Sequence, residues 1–142
     1  MSAAAAGYEF FDVEADVGVR AWGPTRATAF GQTALGVLAV IVDPASVEAR
    51  ETREVRAQAD SPERLLVAWI NECLYVHEIE GFAARGVDVL DIDGGRVVGL
   101  LAGEELDVER HQLGTVVKAV TLHGLSITET PGRVEIRIIV DV

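Results

Sequence analysis

The sequence predicts a single α+β domain, and three observations carry that prediction. Only two segments have the apolar spacing of a long helix, whereas many short stretches alternate as strands do. The strands come in runs rather than alternating with helices, which favours α+β over α/β. At 142 residues the chain is one domain by length, with enough residues for a proper core.

Tyr8 to Glu14 and Asp16 to Trp22 read as strands, the second alternating at Val17, Val19 and Ala21. Gly23-Pro24 breaks the pattern. Thr25 then suits the N-cap of a helix with apolar positions Phe30, Ala34, Val37, Leu38 and Ile41. Asp43-Pro44 closes it, because the residue before a proline is pushed out of the helical region. Thr52 to Ala59 reads as a strand. Ser61-Pro62 opens a second helix, with the serine capping and the proline in the first turn, where its missing N–H costs nothing. Its apolar face is Leu65, Leu66, Trp69, Ile70, Cys73 and Leu74, and Gly81 stops it. Val87 to Asp93 and Val97 to Ala102 form a hairpin about Asp93-Gly94-Gly95. Val116 to Leu122, Ser126 to Glu129 and Val134 to Val142 complete the strands, with Pro131-Gly132 suiting a type II turn. Residues 1 to 7, Ala-rich after Met1, are expected to be a disordered tail ahead of a domain spanning 8 to 142.

Composition limits the function. The chain is 49% hydrophobic and 25% charged, but 23 acids oppose 12 bases, a formal net charge of −11. Neutralising phosphates takes clustered Lys and Arg, so tight direct nucleic-acid binding is not expected. Cations or a basic protein partner fit the acidity better, although solubility alone accounts for much of it. The one cysteine, Cys73, lies on the apolar face of the second helix and can form neither an internal disulfide nor a cysteine-based zinc site. No apolar run approaches membrane-spanning length and the N-terminus lacks a signal peptide's basic start, so a cytoplasmic location follows by elimination.

The chain's last stretch is its most telling feature. Alternation through Val134, Ile136, Ile138, Val140 and Val142 continues to the end, which should pin the terminus in a sheet. Asp141 falls out of that apolar phase, and Asp16 falls out of the phase of Ala15, Val17 and Val19. Both carboxylates can therefore meet outside the core, beside the terminal carboxylate of Val142. Such oxygens suit a hard cation such as Ca2+ or Mg2+. On the residues alone, two solvated aspartates far apart are the simpler reading.

Other constellations are weaker. Asp107, Arg110, His111, Lys118 and His123 could form a contact surface or ligand cluster near a sheet edge. Equally, Asp107 can pair with Arg110 in a helical turn, and each histidine, His77 included, can be structural. Zinc-type histidine spacing is missing. The glycines Gly94, Gly95, Gly99 and Gly103 lack the ending of a phosphate loop. No nucleophile motif is present.

Three motifs in register give the chain a family resemblance. They are Ala15-Asp16-Val17-Gly18-Val19-Arg20-Ala21-Trp22-Gly23, Leu74-Tyr75-Val76-His77-Glu78-Ile79-Glu80-Gly81, and Gly103-Glu104…Asp107…Arg110-His111…Gly114-Thr115-Val116-Val117-Lys118-Ala119-Val120-Thr121…His123. In order, spacing and acidic ending they resemble the archease family from about Tyr8 to Val142. The chain departs from it at Val13-Glu14, where His-Thr is usual. The resemblance implies two antiparallel sheets with two main helices packed on them. It implies a divalent metal ion at Asp16, Asp141 and Val142, with Ca2+ preferred and Mg2+ or Mn2+ as alternatives. It also implies a protein cofactor, not an enzyme: an activator of the RNA-splicing ligase that promotes ligase guanylylation and multiple turnover in tRNA splicing and RNA repair. The competing expectation is a stand-alone metal-dependent enzyme or a calcium-binding module, which would be active without any ligase.

Overall fold

A computed structural model of the chain describes residues 5–142. In chain order its elements are β1 (Gly7–Val13), β2 (Asp16–Gly23), α1 (Arg26–Ile41), a short 3-10 turn (Pro44–Ser46), β3 (Glu51–Gln58), α2 (Pro62–Glu80), β4 (Phe82–Ile92), β5 (Arg96–Glu105), β6 (Ala119–Val120), β7 (Ser126–Thr130) and β8 (Arg133–Asp141). They form two antiparallel sheets. One has five strands, in the order β1-β2-β8-β6 with β7 also paired to β8; the other has three, in the order β3-β5-β4. The α+β class and the two-sheet, two-helix plan expected from the sequence are what the chain adopts.

The helices begin and end where side-chain chemistry dictates. Thr25 caps α1 through a reciprocal pair with Thr28, and Ser61 accepts the Arg64 N–H at the start of α2, with Pro62 following. Gly81 ends α2 in the left-handed conformation, φ +64°, which costs glycine nothing. In the β7–β8 turn, Gly132 has the positive φ, +75°, that a type II turn needs after Pro131. The β4–β5 turn works differently. Its glycines keep negative φ, and the Asp93 carboxylate holds it by accepting the Gly95 and Arg96 N–H groups, both at 2.8 Å.

α1 packs against both sheets, which explains why its buried surface extends most of the way round. At Gly36 the helix lies so close to β2 that a Cβ there would sit 2.8 Å from Val19 Cγ1 and 3.0 Å from the Tyr8 ring; on its other side Gly31 faces Val87 and Val89 of β4. A single core joins Phe30 and Val37, Trp69 and Ile70, Leu101, and Ile136 and Ile138. Burying each large apolar side chain contributes about 1.5–3 kcal/mol. The Trp69 ring N–H donates to the Phe30 carbonyl at 3.1 Å, so the largest of these side chains leaves no orphaned donor. Cys73 is fully buried in the same core, and burial pushes its thiol pKa up.

The structure departs from the sequence expectation in three places. The expected strand over Val116 to Leu122 shrinks to Ala119–Val120. The chain before it caps α1 instead: the Gly114 and Thr115 N–H groups donate to the carbonyls of Ile41 and Val40 at 2.7 and 2.8 Å. Those carbonyls would otherwise be unsatisfied at the helix end. The β4–β5 hairpin is longer than the alternation suggested, running back to Phe82 and on to Glu105, because bulges near Arg85 and Leu90 shift the phase. Finally, Gly7 already pairs with Trp22 in β1; of the expected tail, residues 1–4 lie outside the described residues.

Two glycines of the three-stranded sheet should respond oppositely to substitution. A Cβ at Gly103 would lie 1.9 Å from the Ala83 carbonyl oxygen, a backbone atom that cannot move without breaking the β4–β5 ladder. Gly103→Ala is expected to cost about 1–3 kcal/mol or more. A Cβ at Gly86 meets nothing within 4 Å, so Gly86→Ala should stay within about 0.5 kcal/mol of the parent. Urea titrations of both variants check the contrast, and equal loss in the two would contradict it.

Candidate functional site

The β2–β8 ladder runs from Gly23–Val134 to Val17–Val140, and one step beyond its last rung stand Asp16 and Asp141. Val19 and Ala21 of β2, and Val134, Ile136, Ile138 and Val140 of β8, face the core. Asp16 and Asp141 have the opposite phase and share the outer face with Arg20, Trp22, Glu135 and Arg137. Two further strands converge on the pair. Val13 of β1 is the cross-strand partner of Asp16, and Ala119 of β6 that of Asp141. The Lys118 N–H donates to the Asp141 carbonyl at 2.8 Å, so that oxygen is engaged and the carboxylate is what Asp141 has to offer. The Val142 side chain packs on the core, which ties down the residue bearing the terminal oxygens.

Along the middle of this face each charged side chain has a partner. Arg20 pairs with Glu9 and Glu135, Glu135 also accepts from Arg133, and Arg20 and Arg133 both lie over the Trp22 ring, 5.4 and 5.5 Å from its centre. These donors hold the Glu135 carboxyl below its usual pKa, Arg20 first and Arg133 second. Arg137 lies 4.6 Å from the centre of Phe11, whose ring crosses over Gly18. At the end of the face the matching stops. The carboxylates of Asp16 and Asp141 have neither a hydrogen bond nor an ion pair among the described residues. Neighbouring anions of this kind are stabilised by a cation. The donor set, two carboxylates and terminal oxygens, is all oxygen and suits a hard divalent ion. It holds only two acidic side chains, and among the described residues no group of three or more His, Cys, Asp or Glu is placed to hold a metal.

The second cluster is arranged otherwise than as a contact surface. Its centre is Glu104, which stands in the Gly103-Glu104…Asp107…Arg110-His111 motif but was not among the residues expected in this cluster. Only 4% exposed at the end of β5, Glu104 accepts two hydrogen bonds from Arg110, at 2.6 and 3.0 Å, one from the Glu48 N–H at 2.8 Å and one from His111 Nε2 at 2.9 Å. The fully buried His111 side chain accepts the Asp107 N–H at Nδ1, 3.0 Å away, which fixes the ring hydrogen on Nε2, where it faces Glu104. These donors, Arg110 above all, hold the Glu104 carboxyl well below the usual carboxylate range. Asp107 and Arg110 do pair, at 3.7 Å, in a turn rather than a helix. Lys118 and His123 are exposed and belong to other parts of the surface, while His77 Nδ1 lies 3.0 Å from the Phe82 carbonyl as a structural contact. The signals in the sequence that could have found Glu104 were its place in one motif with Arg110 and His111 and its position at the end of a long apolar strand.

Similarity to known proteins agrees with this architecture. The chain matches the model of the Archease protein family (MTH1598/TM1083) over residues 8–142. Protein archease of Thermococcus gammatolerans is 38% identical over 127 residues, 87% of this chain and 89% of that protein. Protein archease of Methanothermobacter thermautotrophicus is 36% identical over 138 residues, 95% of this chain and 98% of that one. Among solved structures, the solution structure of Methanobacterium thermoautotrophicum protein 1598 is 34% identical, with a TM-score of 0.78, over 96% of this chain and 99% of that chain. The fold and these matches define the class, an α+β domain of two antiparallel sheets. The chain belongs to the archease family.

The Glu104 cluster makes a testable statement about pH. A carboxylate whose pKa is depressed by folding contributes stability that is fully present above its unfolded value, about 4.3, and that is lost as pH falls through the folded value. Glu104→Gln should therefore lower the melting temperature at neutral pH and flatten its decline below about pH 4. Glu54→Gln, which removes an exposed pair with Arg56, should lower it much less. Melting curves from acid to neutral pH read both effects. A variant that keeps the parent's neutral-pH stability and acid slope would show that the cluster contributes nothing.

Proposed function

We propose that this chain is a protein cofactor, not an enzyme, that activates an RNA ligase of the kind that seals tRNA halves after splicing and repairs cleaved RNA. Acting in the cytoplasm, it promotes attachment of the guanylyl group to the ligase and allows multiple turnover. Asp16, Asp141 and the terminal oxygens of Val142 hold a divalent ion, Ca2+ by preference, with Mg2+ or Mn2+ as alternatives. The observation that carries this reading is the pair of uncompensated carboxylates beyond the last rung of the β2–β8 ladder, in a chain whose family membership points to ligase assistance. When bound, the ion supplies the positive charge that the two aspartates lack. Two features support this reading: the β2–β8 ladder sets Asp16 and Asp141 side by side, and the Lys118 N–H donates to the Asp141 carbonyl. An acidic domain of net charge −11 also suits approach to a basic enzyme.

Asp16→Ala and Asp141→Ala should each lower metal affinity by calorimetry while leaving the fold intact, since neither side chain is in the core. In the parent, metal at about a hundredfold over its dissociation constant should raise stability by about 2.7 kcal/mol. Unchanged affinity in both variants would remove these residues from the site. The functional test mixes the protein with a cognate RNA ligase, GTP and Mn2+ and measures guanylylation and RNA joining, with a ligase-free control. Stimulation only with the ligase present supports the cofactor reading, and turnover without it would support an enzyme. A tag after Val142 turns the terminal carboxylate into a neutral carbonyl and should reduce stimulation more than an N-terminal tag does. Equal activity of the two tagged forms would exclude the terminus from the site.

A further inference from the structure

We propose that the groove between α2, the end of β3 and the start of β5 binds a nucleoside monophosphate, its phosphate at an arginine rim and the N–H-bearing edge of a purine at the helix rim. The groove has a volume of about 530 Å³, within the range of about 300–1,000 Å³ that small-molecule sites occupy. It exists because side-chain size changes abruptly along α2. Trp69 fills the space over Gly99 so fully that a Cβ there would lie 2.6 Å from the ring. Ala68 on α2 and Ala57 on the edge strand β3 are too short to fill the space beside it, and with Val97 they give the groove an apolar lining.

The polar residues of the lining differ in sign from one side to the other. On the strand side is Arg96. Every other arginine of the chain has an ion pair, a backbone acceptor or an aromatic ring as its partner. The Arg96 guanidinium has none among the described residues; it acts on Asp93 only through space, while the Arg96 backbone N–H donates to that carboxylate. In a chain with 23 acids to 12 bases, an arginine with no carboxylate in ion-pair contact is available to an external anion. On the helix side are Glu72, whose carboxylate likewise has no hydrogen-bond or ion-pair partner among the described residues, and Asn71. The Asn71 amide N–H donates to the Val120 carbonyl at 3.4 Å, which leaves its Oδ1 as an acceptor.

A ligand that satisfies this lining carries an anion at one end and adjacent N–H donors at the other, on a flat body of moderate size. A guanine nucleotide has both: a phosphate for Arg96, and a ring edge with neighbouring N–H groups for Glu72 and Asn71. An extended peptide added to the β3 edge is a poorer fit. Glu51, Arg53, Glu54 and Arg56 put alternating charges along that strand, a pattern that discourages edge pairing. Inorganic phosphate alone would leave the helix side unused. This site shares no residue with the metal reading and stands or falls apart from it.

The test is a backbone amide NMR titration of the full chain with guanosine monophosphate, inosine monophosphate and inorganic phosphate. Guanosine monophosphate should give saturable shifts at Ala57, Ala68, Asn71 and Val97 and bind more tightly than inosine monophosphate, which lacks the second donor. Arg96→Ala should weaken it about tenfold or more. Ala68→Leu, which fills the groove, should abolish binding while leaving the rest of the spectrum unchanged. Glu72→Gln should narrow the gap between the two nucleotides. The proposal is overturned by the absence of saturable shifts at millimolar nucleotide, by binding that survives both Arg96→Ala and Ala68→Leu, or by an equal response to inorganic phosphate.

Discussion

The pairing of β8 on both of its edges is the constraint on which the rest of the structure depends. Its inner row, Val134, Ile136, Ile138 and Val140, is buried in the core; one edge is paired to β2 and the other is shared by β7 and β6. A strand buried on one face and bonded along both edges cannot slip register, because a slip of one residue would turn the whole inner row outward. The end of the chain is consequently held in place. Asp141 is fixed opposite the start of β2, and the segment before β6 is drawn across the end of α1, where it caps two carbonyls that the helix leaves open.

Charge is distributed unevenly over this frame, and the unevenness separates structural groups from available ones. Glu104 is buried and receives two hydrogen bonds from Arg110 plus donors from Glu48 and His111, an arrangement that stabilises its ionised form and locks the 104–111 turn. On the outer face of the larger sheet, Glu9, Arg20, Glu135 and Arg133 form a chain of ion pairs against Trp22. Such groups are satisfied and have little to give a ligand. Asp16 and Asp141 lie on the same sheet face without a compensating charge. Next to the matched charges in the middle of that face, the exception is informative.

Much of the fold was legible in the sequence, for identifiable reasons. Both helices were bounded by residues whose chemistry acts locally: Thr25, Ser61-Pro62 and Gly81. The period-two rows of β2 and β8 fixed which face each aspartate would take, and the register then set the two side by side. What stayed hidden depended on contacts between distant segments. Nothing in Gly114-Thr115-Val116 signals that its N–H groups cap α1 rather than extend a strand, since that choice is made by where α1 ends in space. The structural role of Glu104 was hidden for the same reason. Its partners come from positions 48, 50, 110 and 111, and a carboxylate at a strand end reads as solvated until those donors are assembled around it.

The departure at Val13-Glu14 gains meaning from the β1–β2 register. Val13 is the cross-strand partner of Asp16, so the position at which the family usually carries histidine lies beside the candidate ligand. With valine there, an imidazole is replaced by an aliphatic group that cannot coordinate. On the metal reading proposed above, the donors left at the sheet end are all oxygens. Imidazole would favour softer first-row ions, whereas an oxygen-only set favours hard ones. On the metal reading proposed above, the substitution therefore moves this chain's preference toward Ca2+ and Mg2+ without removing the negative charge that draws a cation in. The β2–β8 ladder keeps the carboxylates together whichever residue occupies position 13.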